Sequence, residues 1–169
     1  MQYFPERRVL RRETDPQHIA SAIINHLHQY WRSKHIDENP PPRAVIDPLD
    51  IRGLLPNILL GAIEYDPFRV FYRLVGTRIV AFRGELTGHY LDAVTWFEPE
   101  TRASVQRAYE LVAETRCPTF SELEVRSVAG APYRIYTGLW PLANNPGGPI
   151  DMFIAAEDYG TLDRRDLDL

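Results

Sequence analysis

The sequence predicts an α+β domain built on an antiparallel sheet, and three observations carry that prediction. Apolar and aromatic runs of strand length recur at residues 57–65, 69–76, 119–128, 133–142 and 150–157. Short stretches rich in turn residues join most of them: Asp66-Pro67, residues 129–132 and residues 144–149. A helical block at residues 77–116 separates the first two strands from the last three. Strands on short turns run antiparallel, and runs of strands divided by helices are the α+β pattern.

The elements follow in order. Arg7, Arg8, Arg11 and Arg12 cluster near the start and read as a solvated terminal segment. Asp15-Pro16 starts a helix, with aspartate as cap and proline in the first turn. Ile19, Ile23, Leu27 and Trp31 recur every fourth residue, with Ala20, Ile24 and Tyr30 beside them, so the helix runs to about His35. Pro40-Pro41-Pro42 forbids further helix and forms a stiff connector. The strand at residues 57–65 is apolar on both faces, at Ile58, Leu59, Leu60 and Ile63, and belongs inside the sheet. Gly76 ends the next strand, and Ile79, Val80 and Phe82 fall at helical spacing. Gly84 and Gly88 then flank a turn. Glu98-Pro99-Glu100 opens a longer helix with acidic residues at its positive end. Val105, Ala108, Tyr109 and Val112 form its buried stripe, and Cys117-Pro118 stops it. The tail, residues 163–169, alternates charge with leucine and is expected to fray.

A chain of 169 residues suits one domain, and 44% hydrophobic with 25% charged residues is an ordinary globular balance. No apolar run approaches bilayer length, and the charged N-terminal stretch lacks the apolar region of a secretory signal. The single Cys117 makes no internal disulfide, which fits a reducing cytoplasm. A net charge of −4 speaks against nucleic-acid binding.

Catalytic patterns are missing. His26 and His28 are two apart and point to nearly opposite sides of a helix, so they cannot share a metal; no metal site is expected. Ser104, Ser121 and Ser127 sit in no nucleophile motif, and Gly84 with Gly88 lacks the lysine and spacing of a phosphate loop. Glu122 and Glu124 share one face of a strand, where a solvated outer surface accounts for them. What stands out is the aromatic interior: Tyr72, Leu74, Phe82, Tyr109, Tyr136 and Trp140 have inward positions. Buried Tyr and Trp need polar partners, so this set suits a cavity for a small ligand, or else a core filled by its own rings.

Residues 71–92, FYRLVGTRIVAFRGELTGHYLD, carry a resemblance to the PAS sensory domain. The chain is similar in particular to a divergent bacterial subfamily with a strand ending in RLVGT, here Arg73 to Thr77, and a G-x-LTG-x-x-LD turn, here Gly84 to Asp92. Ile46-Asp47-Pro48 and the leucine-rich stretch up to Pro56 resemble its lead-in, so the likeness covers roughly residues 20–157. His89 stands where a basic residue is usual, and Glu85 where aspartate is commoner. The resemblance implies five strands in the order 2-1-5-4-3, helices across one face, and a cavity between the layers near His89. It divides the chain into an N-terminal helical extension with its connector (1–45), the PAS-like domain (46–158) and the tail (159–169).

Haem-binding PAS domains take a histidine from the longer helix, and residues 98–116 hold none; flavin-adduct domains carry a cysteine motif absent from residues 84–92. Neither cofactor is therefore expected, and the identity of any ligand is left open. The resemblance implies a stand-alone cytoplasmic sensory or adaptor module, not an enzyme, because only residues 158–169 follow the last strand. Its signal would pass to a protein partner. The helix at residues 15–35 is apolar around more than one side, which favours a homodimer unless the connector covers the second stripe. A small cavity enzyme of the isomerase or dehydratase kind, or a ligand-free dimerisation domain, are the alternatives.

Overall fold

The computed structural model describes residues 7–168; residues 1–6 of the charged N-terminal stretch and Leu169 of the tail lie outside them. The strands are β1 (Arg8–Glu13), β2 (Ile58–Glu64), β3 (Arg69–Val75), β4 (Thr119–Arg126), β5 (Pro132–Leu142) and β6 (Met152–Asp158). They form one six-stranded sheet in the order β1-β4-β5-β6-β2-β3, antiparallel at every pairing. This corrects the expectation of five strands in the order 2-1-5-4-3. The basic segment read as a solvated end is an edge strand on β4. Its charges explain the pairing: Arg8 lies opposite Glu124 and Arg11 opposite Glu122, while Val9 meets Leu123 on the other face. β2 lies inside the sheet, flanked by β3 and β6.

Helices cover both faces of the sheet, the helical block on one and the N-terminal extension on the other. α1 (Ala22–Ser33) packs on β5 and β6, and α3 (Pro99–Thr115) crosses the opposite face; α2 (Thr77–Arg83) follows β3. The helix expected over residues 15–35 is broken. Asp15 caps only a short 3-10 turn, Pro16–His18, by accepting from the Gln17 N–H at 2.9 Å. The chain then extends, and Ser21 caps α1 by accepting from the Ile24 N–H at 3.1 Å. The Ser21 hydroxyl also donates to Asp158 at 2.6 Å, which ties the helix start to the end of β6.

The core has two compartments. Under α1, Ile24, Leu27 and Trp31 meet Phe120, Trp140, Leu142 and Ile154, and Ile46, Ile51 and Leu54 of the lead-in join them. Tyr30 accepts from the Asp47 N–H at 2.8 Å. Of the apolar residues beside the main stripe, Ile24 is buried and Tyr30 half-buried in this compartment, while Ala20 lies before α1 and is exposed. Under α2 and α3, Leu59, Tyr72, Phe82, Tyr109, Leu139 and Phe153 form the other compartment. The tail closes it instead of fraying: Tyr159, Leu162 and Leu167 are buried there, and Asp163 and Asp166 cap the turn Arg164–Leu167 reciprocally.

Two glycines shape the β3 edge. At Gly76 a Cβ would collide with the carbonyl oxygens of Leu55 and Pro56, so the demand there is close approach. Gly88 has φ +82, which favours glycine outright. Around it, Gly88 N–H donates to the Tyr72 carbonyl at 2.8 Å and Tyr72 N–H to the His89 carbonyl at 3.0 Å. These bonds occupy part of the free edge of β3. Among the described residues, no helix is long and apolar enough to cross a membrane.

Candidate functional site

Between α3 and the sheet lies a cavity of about 360 Å³. The α3 stripe supplies its roof through Ser104, Val105, Ala108 and Tyr109. The floor alternates because directly paired residues share a face. Leu59, Ala155, Leu139 and Thr119 form one transverse row, in mutual register across β2, β6, β5 and β4. The next row is polar throughout: Arg12 pairs with Ser121, Ser121 with Thr137, and Thr137 with Glu157. All four line the cavity. The hydroxyls of Ser104, Ser121 and Thr137 make no side-chain hydrogen bond among the described residues.

Glu157 anchors the inner end of that row. Arg83, the last residue of α2, holds it by a two-point bridge, with Nε donating to Oε2 at 2.8 Å and Nη2 to Oε1 at 2.6 Å. The Tyr159 hydroxyl donates to the same carboxylate. Arg7 stands 3.7 Å from it, and its Nη1 is buried with no hydrogen-bond partner among the described residues. Burial pushes the Glu157 carboxyl up, but the guanidiniums of Arg83 and Arg7 outweigh this and hold it below the ordinary carboxylate value. Burial, then the neighbouring Glu157 charge, pushes Tyr159 up to about 12. Tyr72 is pushed to about 12 and Tyr109 well above its usual value, in both cases chiefly by burial. The site therefore presents ionised Arg and Glu beside neutral phenols at neutral pH.

Of the residues singled out from sequence, Tyr109 lines the cavity. Tyr72 and Phe82 stand behind it: the Tyr72 ring meets Tyr109 with centroids 6.4 Å apart, and Phe82 stacks on Tyr159 at 4.2 Å. Tyr136 and Trp140 lie on the α1 face, where the Trp140 Nε1 donates to His28 Nδ1 at 3.1 Å. Leu74 is 44% exposed on β3. His89 is exposed, with its ring edge-on to Trp96 at 5.7 Å and its Nδ1 3.2 Å from the Thr87 carbonyl oxygen. Cys117 is exposed, and Glu122 and Glu124 pair with Arg134 at 3.3 and 2.9 Å. No group of three His, Cys, Asp or Glu able to hold a metal occurs among the described residues.

Sequence reasoning passed over Arg83, Glu157 and Thr137, and weighed Ser121 only as a nucleophile. Two of them left a signal. Glu157 has the parity of Phe153 and Ala155 in a strand that is apolar up to it, and Arg83 is one helical turn beyond Ile79. An inward charge at each position calls for a partner.

Comparison with known proteins follows this geometry. Solved structures resemble the chain, among them the following three. An RNA-binding light-oxygen-voltage receptor matches at 14% identity and TM-score 0.41, over 73% of this chain and 36% of the receptor, so the chain spans about a third of its length. The light-state structure of the blue-light photoreceptor Aureochrome1 LOV matches at 10% identity and TM-score 0.38, over 66% of this chain and 87% of that one. A fungal LOV domain photoreceptor matches at 12% identity and TM-score 0.41, over 86% and 99%. No curated protein matches. A family profile described as PAS domain matches residues 11–155, and with that span, reaching from β1 to β6, the chain belongs to the PAS domain family.

Proposed function

We propose that the chain is a sensory or adaptor module of signal transduction that binds a small molecule between α3 and the sheet. It acts in the cytoplasm through a protein partner and has no catalytic activity of its own. The RLVGT and G-x-LTG phrases support a divergent bacterial branch of the family. The cavity carries the ligand reading: about 360 Å³ falls within the roughly 300–1,000 Å³ of small-molecule sites. Apolar walls with a few unpartnered hydroxyls are the composition such sites share. Tyr109 supports a signalling route, since its ring contacts both Tyr72 and Phe153 behind the cavity wall. A ligand that shifts α3 would move that cluster.

A homodimer through α1 would draw on the half-buried Ile23 and Tyr30, which already pack in part within the chain. Sedimentation of the intact chain tests that pairing separately.

The ligand reading is tested by thermal denaturation against a small-molecule library, with wild type and Ala108→Trp in parallel. Compounds should raise the melting temperature of wild type and leave the filled variant unmoved. A library that shifts both alike, or neither, contradicts the reading.

A further inference from the structure

The cluster at the inner end of the cavity does not balance its charge. Arg7, Arg83 and Glu157 have side chains only 13%, 10% and 8% exposed, and they amount to two guanidiniums against one carboxylate. Arg83 uses its fork on both oxygens of Glu157. Arg7 lines the cavity and reaches the same carboxylate only at ion-pair distance, and its Nη1 is buried without a hydrogen bond among the described residues. A desolvated donor calls for an acceptor, and an anionic one also offsets the surplus charge. Arg12 and Glu100 also border the cavity, but both are exposed and solvated, so they do not settle the inner charge.

Resting on the ligand reading above, we propose that the cavity takes a small monocarboxylate with an apolar body, its carboxylate received by Arg7. The surplus is a single charge, which a carboxylate balances; a phosphate monoester, at about −1.5 to −2, exceeds it. The body lies against Leu59, Leu123, Leu139 and Val105, and the Ser121–Thr137 pair can meet a hydroxyl or carbonyl substituent.

Isothermal titration at neutral pH with phenylacetate, 4-hydroxyphenylacetate and hexanoate, each beside its neutral amide, tests this on wild type, Arg7→Met, Arg7→Lys and Ala108→Trp. At least one acid should bind wild type about tenfold or more tighter than its amide. Arg7→Met should erase that preference, Arg7→Lys should restore part of it, and Ala108→Trp should abolish binding of both. Equal binding of acid and amide to wild type overturns the carboxylate assignment and leaves the cavity reading standing. Binding that survives Ala108→Trp, or no binding of any acid or amide to wild type, overturns both. Should Arg7→Met fail to fold, the acid–amide difference in wild type still decides.

Discussion

The two faces of the sheet are built from the same strands and do opposite things. On the α1 face, Trp31, Phe120 and Trp140 interlock with His28 and Ile154, and the ring nitrogens bond within the packed layer: Trp31 Nε1 to the Pro141 carbonyl at 2.9 Å and Trp140 Nε1 to His28. On the α3 face, alternate residues of the same strands are Ser121, Thr137 and Glu157, and a cavity remains over them. One face is filled by its own rings and fixes the sheet. The other keeps space and charge. A sheet with one dry, rigid side can hold polar groups at fixed positions on its other side, as a binding site requires.

The largest expected effect lies in the charged face. Glu157→Gln leaves Arg83 and Arg7 buried without their anion and should cost ~3–5 kcal/mol by urea denaturation. A loss under ~1 kcal/mol would mean that water or rearrangement already serves those guanidiniums. On the filled face, Phe120→Ala should cost ~3–5 kcal/mol, because the ring it removes is fully buried. Ala108→Leu sharpens the contrast. Adding carbons to a packed site costs ~1–3 kcal/mol, and the cavity should remove most of that penalty. Similar destabilisation by both would erase the distinction between the faces.

How much of this contrast could be read from residues alone differs by element. β2 showed its interior place because Ile58, Leu59, Leu60 and Ile63 are apolar on both faces. β1 did not, since its arginines look solvated until Glu122 and Glu124, far along the chain, are set opposite them. The aromatic residues of β5 show the limit of strand parity. A one-residue step puts Thr137 and Leu139 on the cavity side and Tyr136 and Trp140 on the other, and composition favours the rings for a pocket. The helix at residues 15–35 showed its apolar stripe but not its break, because Asp15 and Ser21 are both good caps.

Turn geometry yields a smaller effect. Gly88→Ala must hold φ +82 with a Cβ and should cost ~1–2 kcal/mol in thermal or urea unfolding. Gly76→Ala should cost more, since two carbonyl oxygens stand in the way.

The smallest effect is a pH dependence that separates the faces. Burial, then Arg32, lowers the His28 pKa below 6.5, so the unfolded chain takes up its proton first. Stability should fall as pH drops from 6.5 toward the folded value, with a change in tryptophan emission as the His28 acceptor for Trp140 is lost. Glu157 acts lower: its contribution is present above the ordinary carboxylate value of 4.5 and is lost as pH falls through its depressed folded value. His28→Gln should shrink the upper step to the share of His35, whose pKa burial and then Arg32 also lower, and keep the lower one.

Amide chemical-shift mapping of the intact chain against a fragment library tests the division between the faces most directly. Binding fragments should perturb Ser104, Tyr109, Ser121, Thr137 and Glu157 while leaving His28, Phe120 and Trp140 still. Fragments that gather on the α1 face, or none that move the cavity residues, would contradict it.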